Sequence, residues 1–64
     1  MEKFCFWDIE IDCPIEKNFM GTVSQAKEKA AYLAGKYHTT VCVYGGDNYK
    51  RMVIVNASGN IIYI

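Results

Sequence analysis

The chain has 64 residues, of which 52% are hydrophobic, and its seven basic and seven acidic side chains leave no net charge. That balance argues against a nucleic-acid-binding protein acting through bulk electrostatics, because such domains are clearly basic. No apolar run approaches the roughly 18 residues that a membrane-spanning helix needs. A domain this small buries only about 60% of the surface its unfolded chain exposes, so some apolar surface is expected to meet another molecule.

The segment 3–12 alternates in a way that predicts the first strand. With a two-residue period, Phe4 and Phe6 share one face of this strand with Asp8, Glu10 and Asp12. We expect the strand to end before Pro14, because proline lacks the amide donor that a strand ladder uses. The segment 15–21 is either a loop or contains a short returning strand over 17–20.

The clearest element is the helix predicted after this region. Thr22 or Ser24 can cap its first turn by accepting a hydrogen bond from an unpaired backbone amide. Apolar residues then recur at helical spacing and form one stripe. The members of this stripe are Val23, Ala26, Ala30, Leu33 and Tyr37.

Three strands are predicted to follow the helix, over 39–44, 49–56 and 61–64. Glycines in the turn at 45–48 favour a tight hairpin, and Ser58-Gly59 marks the second turn. The resulting order, β(β)αβββ, predicts an α+β fold in which one helix packs on a mainly antiparallel sheet of four or five strands. We expect one domain over 1–64.

The segment TVSQAKEKAAYLAGKYHTTVCVYGGDN, residues 22–48, resembles small bacterial and phage proteins with a β-β-α-β order. The shared pattern is a Thr or Ser cap, a helix of small residues ending near Leu-Ala, a Val-rich strand and a Gly/Asp turn. The resemblance covers under half of the chain and implies the fold alone.

Catalytic and metal-binding patterns are weak in this sequence. Cys5, Cys13 and Cys42 are scattered, and the one histidine, His38, stands at the predicted helix end. Neither a zinc spacing nor a phosphate-binding glycine loop is present. We therefore expect a non-enzyme without a metal or cofactor. The odd number of cysteines and the lack of a signal segment predict a reduced, cytoplasmic protein.

Two surfaces are candidates for binding. The hairpin residues Tyr44, Tyr49, Lys50 and Arg51 combine aromatic rings with cations, as in single-stranded nucleic-acid binding. An ordinary hairpin with a cross-strand tyrosine pair and solvated bases is the favoured explanation. The second candidate is the first strand. Its acidic row could be neutralised by Lys17 or Lys50, or it could face a basic groove of a partner.

The favoured hypothesis is a protein-binding inhibitor or adaptor. Its partner-binding residues would be the apolar and acidic ones of the first strand and its end: Phe4, Phe6, Asp8, Glu10, Asp12 and Glu16. The partner would be a host protein with a basic nucleic-acid-binding groove. In small size and lack of chemistry the chain resembles phage antagonists of host nucleases, such as anti-CRISPR proteins.

A homodimer is also expected. The uncovered sheet face is predicted to be partly apolar, which marks an interface. The terminal strand 61–64, "IIYI", is short and uncharged, so its edge is the other surface available for pairing.

Overall fold

The computed structural model describes residues 2–45 and 50–63. Within these residues the chain forms five strands and one helix: β1 (Glu2–Asp8), β2 (Cys13–Gly21), α1 (Val23–Tyr37), β3 (Val41–Gly45), β4 (Lys50–Val55) and β5 (Ile61–Tyr63). All neighbouring strands pair antiparallel, in the spatial order β2-β1-β3-β4-β5. This confirms the predicted α+β fold. In the described part of the chain, no helix has the length and apolar character needed to cross a membrane.

The first hairpin departs most from the sequence-based prediction. β1 stops at Asp8 instead of running to position 12, and residues 9–12 form a turn. β2 is a full strand that begins at Cys13, so Pro14 lies inside a strand that it was expected to precede. The position is tolerated because β2 is an edge strand, where a missing amide can face outward instead of breaking a ladder.

The start of α1 follows from local chemistry. Thr22 is the N-cap: its hydroxyl accepts a hydrogen bond from the Gln25 amide at 3.2 Å, and the Gln25 side chain accepts one from the Thr22 amide at 2.9 Å. This reciprocal capping box satisfies two backbone donors. The helix ends at Tyr37, after which His38 takes a left-handed conformation with φ 51°. His38 is thus an exposed helix cap.

The core lies between α1 and the sheet face that carries Phe4 and Phe6. Small helix residues allow this close approach, and they are buried together with valines of β3 and β4. The fully or nearly fully buried members are Phe4, Phe6, Ala26, Ala30, Leu33, Ala34, Val41, Val43, Val53 and Val55. Tyr37, which the predicted apolar stripe included, is exposed because the helix ends there.

The other face of the sheet, which we call the open face, points away from α1. The strand register places Cys5 opposite Tyr44 and Trp7 opposite Cys42, with Ile54 beside Cys42 on β4. Cys5 and Cys42 are buried, whereas the two aromatic rings and Ile54 are half-buried. The large side chains of this face therefore cover the thiols beneath them.

Candidate functional site

The carboxylate of Asp8 organises the turn that follows β1. Its Oδ1 accepts hydrogen bonds from the amides of Glu10 at 3.0 Å and Ile11 at 3.4 Å, which is the pattern of an Asx turn. The same oxygen accepts a bond from the Thr39 hydroxyl at 2.7 Å. Asp8 and Thr39 are both buried. One carboxylate thus folds the chain back after β1 and ties the turn to the segment between α1 and β3.

Glu10 makes a second connection to that segment. Its Oε2 accepts hydrogen bonds from the amide of Thr40 at 2.8 Å and from the Thr40 hydroxyl at 3.0 Å. The amide of Ile9 in turn donates to the carbonyl oxygen of Thr40 at 3.2 Å. Hydrogen bonds to ionised acceptors are stronger than neutral ones, so the first part of the turn is held firmly against Thr39 and Thr40.

Asp12 fixes the far end of the turn. It adopts a left-handed conformation with φ 52°, which aspartate tolerates better than most residues. Its Oδ1 accepts a hydrogen bond from the Trp7 indole Nε1–H at 3.0 Å. The indole is thereby held against the end of β1.

The ordered turn, residues 9–12, exposes two isoleucines. Ile11 has 70% of its surface in contact with solvent and Ile9 has 41%. Ile11 and the exposed Tyr37 are among the residues that line a shallow cavity of about 250 Å³. Two solvated isoleucines are therefore presented by backbone that is already ordered.

The structure corrects the predicted apolar anchor of the first strand. Phe4 and Phe6 are completely buried under α1, and both rings contact Phe19 of β2, with centroids 6.5 Å and 5.5 Å away. They share a face with Asp8, as the alternation indicated, but that face is the one the helix covers. They are not available to a partner.

The predicted acidic row is also rearranged. Because β1 ends at Asp8, Glu10 and Asp12 leave the strand and become exposed turn residues. Glu16 pairs with Lys29 of α1, with 3.2 Å between Oε1 and Nζ. The sequence suggested that Lys17 or Lys50 neutralises the acidic row. The partners observed for its carboxylates are instead backbone amides, threonine hydroxyls and the indole of Trp7.

The cations of the candidate hairpin site do not lie on the same face of the sheet. Arg51 pairs with Tyr44, whereas Lys50 pairs with Gly45, so the two neighbouring cations belong to opposite faces. Tyr49 and the predicted turn residues 46–48 lie outside the described residues. The structure brings Tyr44 and Arg51 together on the open face, and it adds Trp7, which the sequence-based site left out.

The open face carries a depression of about 410 Å³ lined by Cys5, Trp7, Asp12 and Tyr44. Burial raises the pKa of the Cys5 and Cys42 thiols beneath it. Hydrogen bonding with Cys42, followed by burial, raises the pKa of the Tyr44 hydroxyl. All three groups therefore stay neutral near pH 7, and Asp12 is the one acidic residue among the four described residues that line the depression.

Sequence reasoning missed Ile9, Ile11 and Trp7 as surface residues. An Asp side chain that accepts hydrogen bonds from the amides following it favours a turn. In this sequence the two-residue alternation over 3–12 favoured a strand more strongly. Among residues 2–45 and 50–63, no group of three or more His, Cys, Asp or Glu side chains could hold a metal ion.

Comparisons with protein-family models, with curated proteins and with solved structures give no match to this chain. The two candidate surfaces are therefore judged on their geometry: the turn with its exposed isoleucines, and the open face with its aromatic rings.

Proposed function

We propose that this protein is a non-enzymatic protein-binding module that presents the 9–12 turn to a partner. The observation that carries the proposal is the 70% exposure of Ile11 on a turn held by the carboxylates of Asp8, Glu10 and Asp12. Binding usually costs free energy because loops and side chains must be ordered. A backbone that is already ordered reduces this cost, so the isoleucines are suitable anchors.

The partner's surface would be an apolar pocket with basic residues at its rim. Ile9 and Ile11 would enter the pocket, while the exposed carboxylates of Glu10 and Asp12 would face the rim. Complementary charge of this kind accelerates association and selects partners. A basic nucleic-acid-binding groove of a host protein fits this description. The protein would then act as an inhibitor or adaptor, in the manner of phage antagonists of host nucleases such as anti-CRISPR proteins.

The site of action would be the cytoplasm. Thiols remain reduced there, and Cys5, Cys13 and Cys42 are all free. No sulfur chemistry is needed for the proposed binding.

Affinity capture from the native cytosol tests the proposal when three immobilised proteins are compared. These are the wild type, the double variant Ile9→Ser/Ile11→Ser, and the control Tyr32→Ser, which alters an exposed aromatic residue on α1. We expect a protein that is captured by the wild type and the control but lost with the double variant. Purification of that protein then allows its affinity to be measured. Equal capture by all three would contradict the role of the turn.

We also propose a homodimer that forms through the edge of β5. This edge strand carries Ile61 and Ile62, both exposed. The opposite edge, β2, contains Pro14 and charged residues and pairs irregularly with β1, features that discourage edge pairing. Sedimentation should show a dimer for the wild type and a monomer for Ile62→Lys. A wild-type monomer at micromolar concentration would contradict this proposal. It would equally contradict a dimer formed through the open face.

A further inference from the structure

The two aromatic rings of the open face form a pair across β1 and β3. Since Cys5 lies opposite Tyr44 and Trp7 opposite Cys42, Trp7 and Tyr44 occupy diagonal positions, about 7–8 Å apart. The depression of about 410 Å³ lies between them.

A hydrogen bond holds one of the two rings in place before any ligand arrives. The Trp7 indole donates to Asp12 at 3.0 Å. The Tyr44 ring is half-buried, and interaction with Cys42, two residues back on the same strand, raises the pKa of its hydroxyl. Cys5 and Cys42 are buried beneath. The open face is thus a largely apolar platform on which the indole is already positioned.

Cations surround this platform. Arg51 lies opposite Tyr44 on β4, and Lys3 lies two residues before Cys5 on β1, which places it on the same face. The charge of Lys17 on β2 acts on the Cys5 thiol and partly offsets the burial that raises its pKa. All three cations are exposed. The row from Lys17 through Cys5 and Tyr44 to Arg51 spans three strand spacings, about 14 Å.

Three of the seven acidic side chains have partners away from this face. Asp8 and Glu10 bond to Thr39 and Thr40, and Glu16 pairs with Lys29 of α1. Asp12 contacts the open face, where its Oδ1 accepts a hydrogen bond from the Trp7 indole. Three cations, Lys3, Lys17 and Arg51, therefore border the open face of a chain that has no net charge overall.

From this arrangement we infer that the open face binds single-stranded nucleic acid. Unpaired bases stack on Tyr44 and Trp7, and Lys3, Lys17 and Arg51 contact the phosphates. Stacking on aromatic side chains of an open sheet is a general way of holding unpaired bases, and base-paired strands cannot offer their faces in this way. The inference is independent of the proposed function, because it concerns another surface and another class of partner.

The single tryptophan of the chain makes a direct test possible. Trp7 fluorescence is recorded while oligothymidylate or oligouridylate of about 12 nucleotides is added at about 50 mM salt. We expect saturable quenching. We also expect affinity to fall with salt at a slope near −2, about 0.7 for each of three phosphate contacts. A duplex of equal length and poly-L-glutamate are the comparison ligands, and both should bind more weakly.

Variants separate stacking from charge. Tyr44→Leu should weaken binding about tenfold or more, whereas Tyr44→Phe, which keeps the ring, should bind like the wild type. Arg51→Gln and Lys17→Gln should each lower affinity and flatten the salt slope. Lys36→Gln, which removes an exposed cation from α1, and Ile11→Ser on the turn are controls that should leave binding unchanged. Circular dichroism verifies that every variant is folded.

Three results would overturn the inference. One is the absence of quenching up to about 100 µM oligonucleotide, a concentration at which even non-specific binding is detected. Another is equal binding of duplex or of poly-L-glutamate, which would indicate a general polyanion or acidic-protein surface. The third is unchanged affinity in a folded Tyr44→Leu protein. A loss of protein capture by the turn variants would not affect any of these measurements.

Discussion

Asp8 and Thr39, 31 positions apart in the chain, are joined by a hydrogen bond of 2.7 Å between buried side chains. The same Asp8 oxygen accepts from two amides of the 9–12 turn. This one acceptor therefore connects the end of β1, the turn and the segment before β3. It explains why a carboxylate lies on the face of β1 that packs under the helix.

Replacing Asp8 with Ala should destabilise the fold by about 2 kcal/mol or more, because the Thr39 hydroxyl and two amides lose a charged acceptor. Asp8→Asn keeps an oxygen acceptor and should cost less. Thr39→Val removes only the hydroxyl donor. Urea unfolding of these variants and of Asp8→Ala/Thr39→Val measures the coupling between the two residues. If the losses in free energy of unfolding of the two single variants simply add in the double variant, Asp8 and Thr39 are not energetically coupled.

The glycines at 45 and 35 should respond oppositely to substitution by Ala. A Cβ on Gly45 would lie 2.5 Å from Cδ1 of Phe4 and 2.6 Å from Sδ of Met52, so Gly45→Ala should overpack the core and cost about 1–3 kcal/mol. A Cβ on Gly35 would meet nothing within 4 Å. Gly35→Ala should therefore stabilise the helix by about 0.5–1 kcal/mol. Thermal melts test both, and a stabilised Gly45→Ala would contradict the tight contact.

Thiol reactivity should distinguish the three cysteines. Cys13 is exposed, whereas Cys5 and Cys42 are buried and their pKa values are raised by that burial. Since the thiolate is the reactive form, we expect one rapid reaction with a disulfide reagent at pH 7.5. The other two thiols should react only as fast as the protein opens. Cys13→Ser should abolish the rapid phase, and a rapid phase that persists in this variant would refute the assignment.

Stability should decline in mild alkali. The pKa values of Cys5 and Cys42 in the folded protein lie above those in the unfolded chain, which are about 8.5. The stabilisation by the neutral thiols is then complete below pH about 8.5 and is lost as pH rises through the folded values. Urea titrations from pH 7 to 9.5, below the ordinary tyrosine range near 10, should show this decline. The Cys5→Ala/Cys42→Ala protein should have a lower free energy of unfolding at every pH, and that free energy should change less with pH. If it falls with pH as steeply as in the wild type, the thiols are not the cause of the decline.

The sequence by itself was sufficient for the elements whose signals are local. The apolar stripe and a cap at Thr22 or Ser24 predicted α1. The structure selects Thr22, which forms the cap with Gln25 through bonds three positions apart. The β-branched runs after the helix predicted β3, β4 and β5 within one or two residues of their observed ends. These features depend on periodicity and capping, which neighbouring residues decide.

Only the tertiary structure decided what the first strand does. The alternation from Phe4 to Asp12 has the same period whether the chain runs straight or turns after Asp8. Thr39 and Thr40, about 30 positions away, provide the donors that bind Asp8 and Glu10 and favour the turn. Packing also decides which face of β1 the helix covers. The covered face is the one that carries Phe4 and Phe6, so both residues belong to the core. Trp7 then remained beside Tyr44 on the open face, because contacts between distant segments choose between the two faces that alternation merely separates.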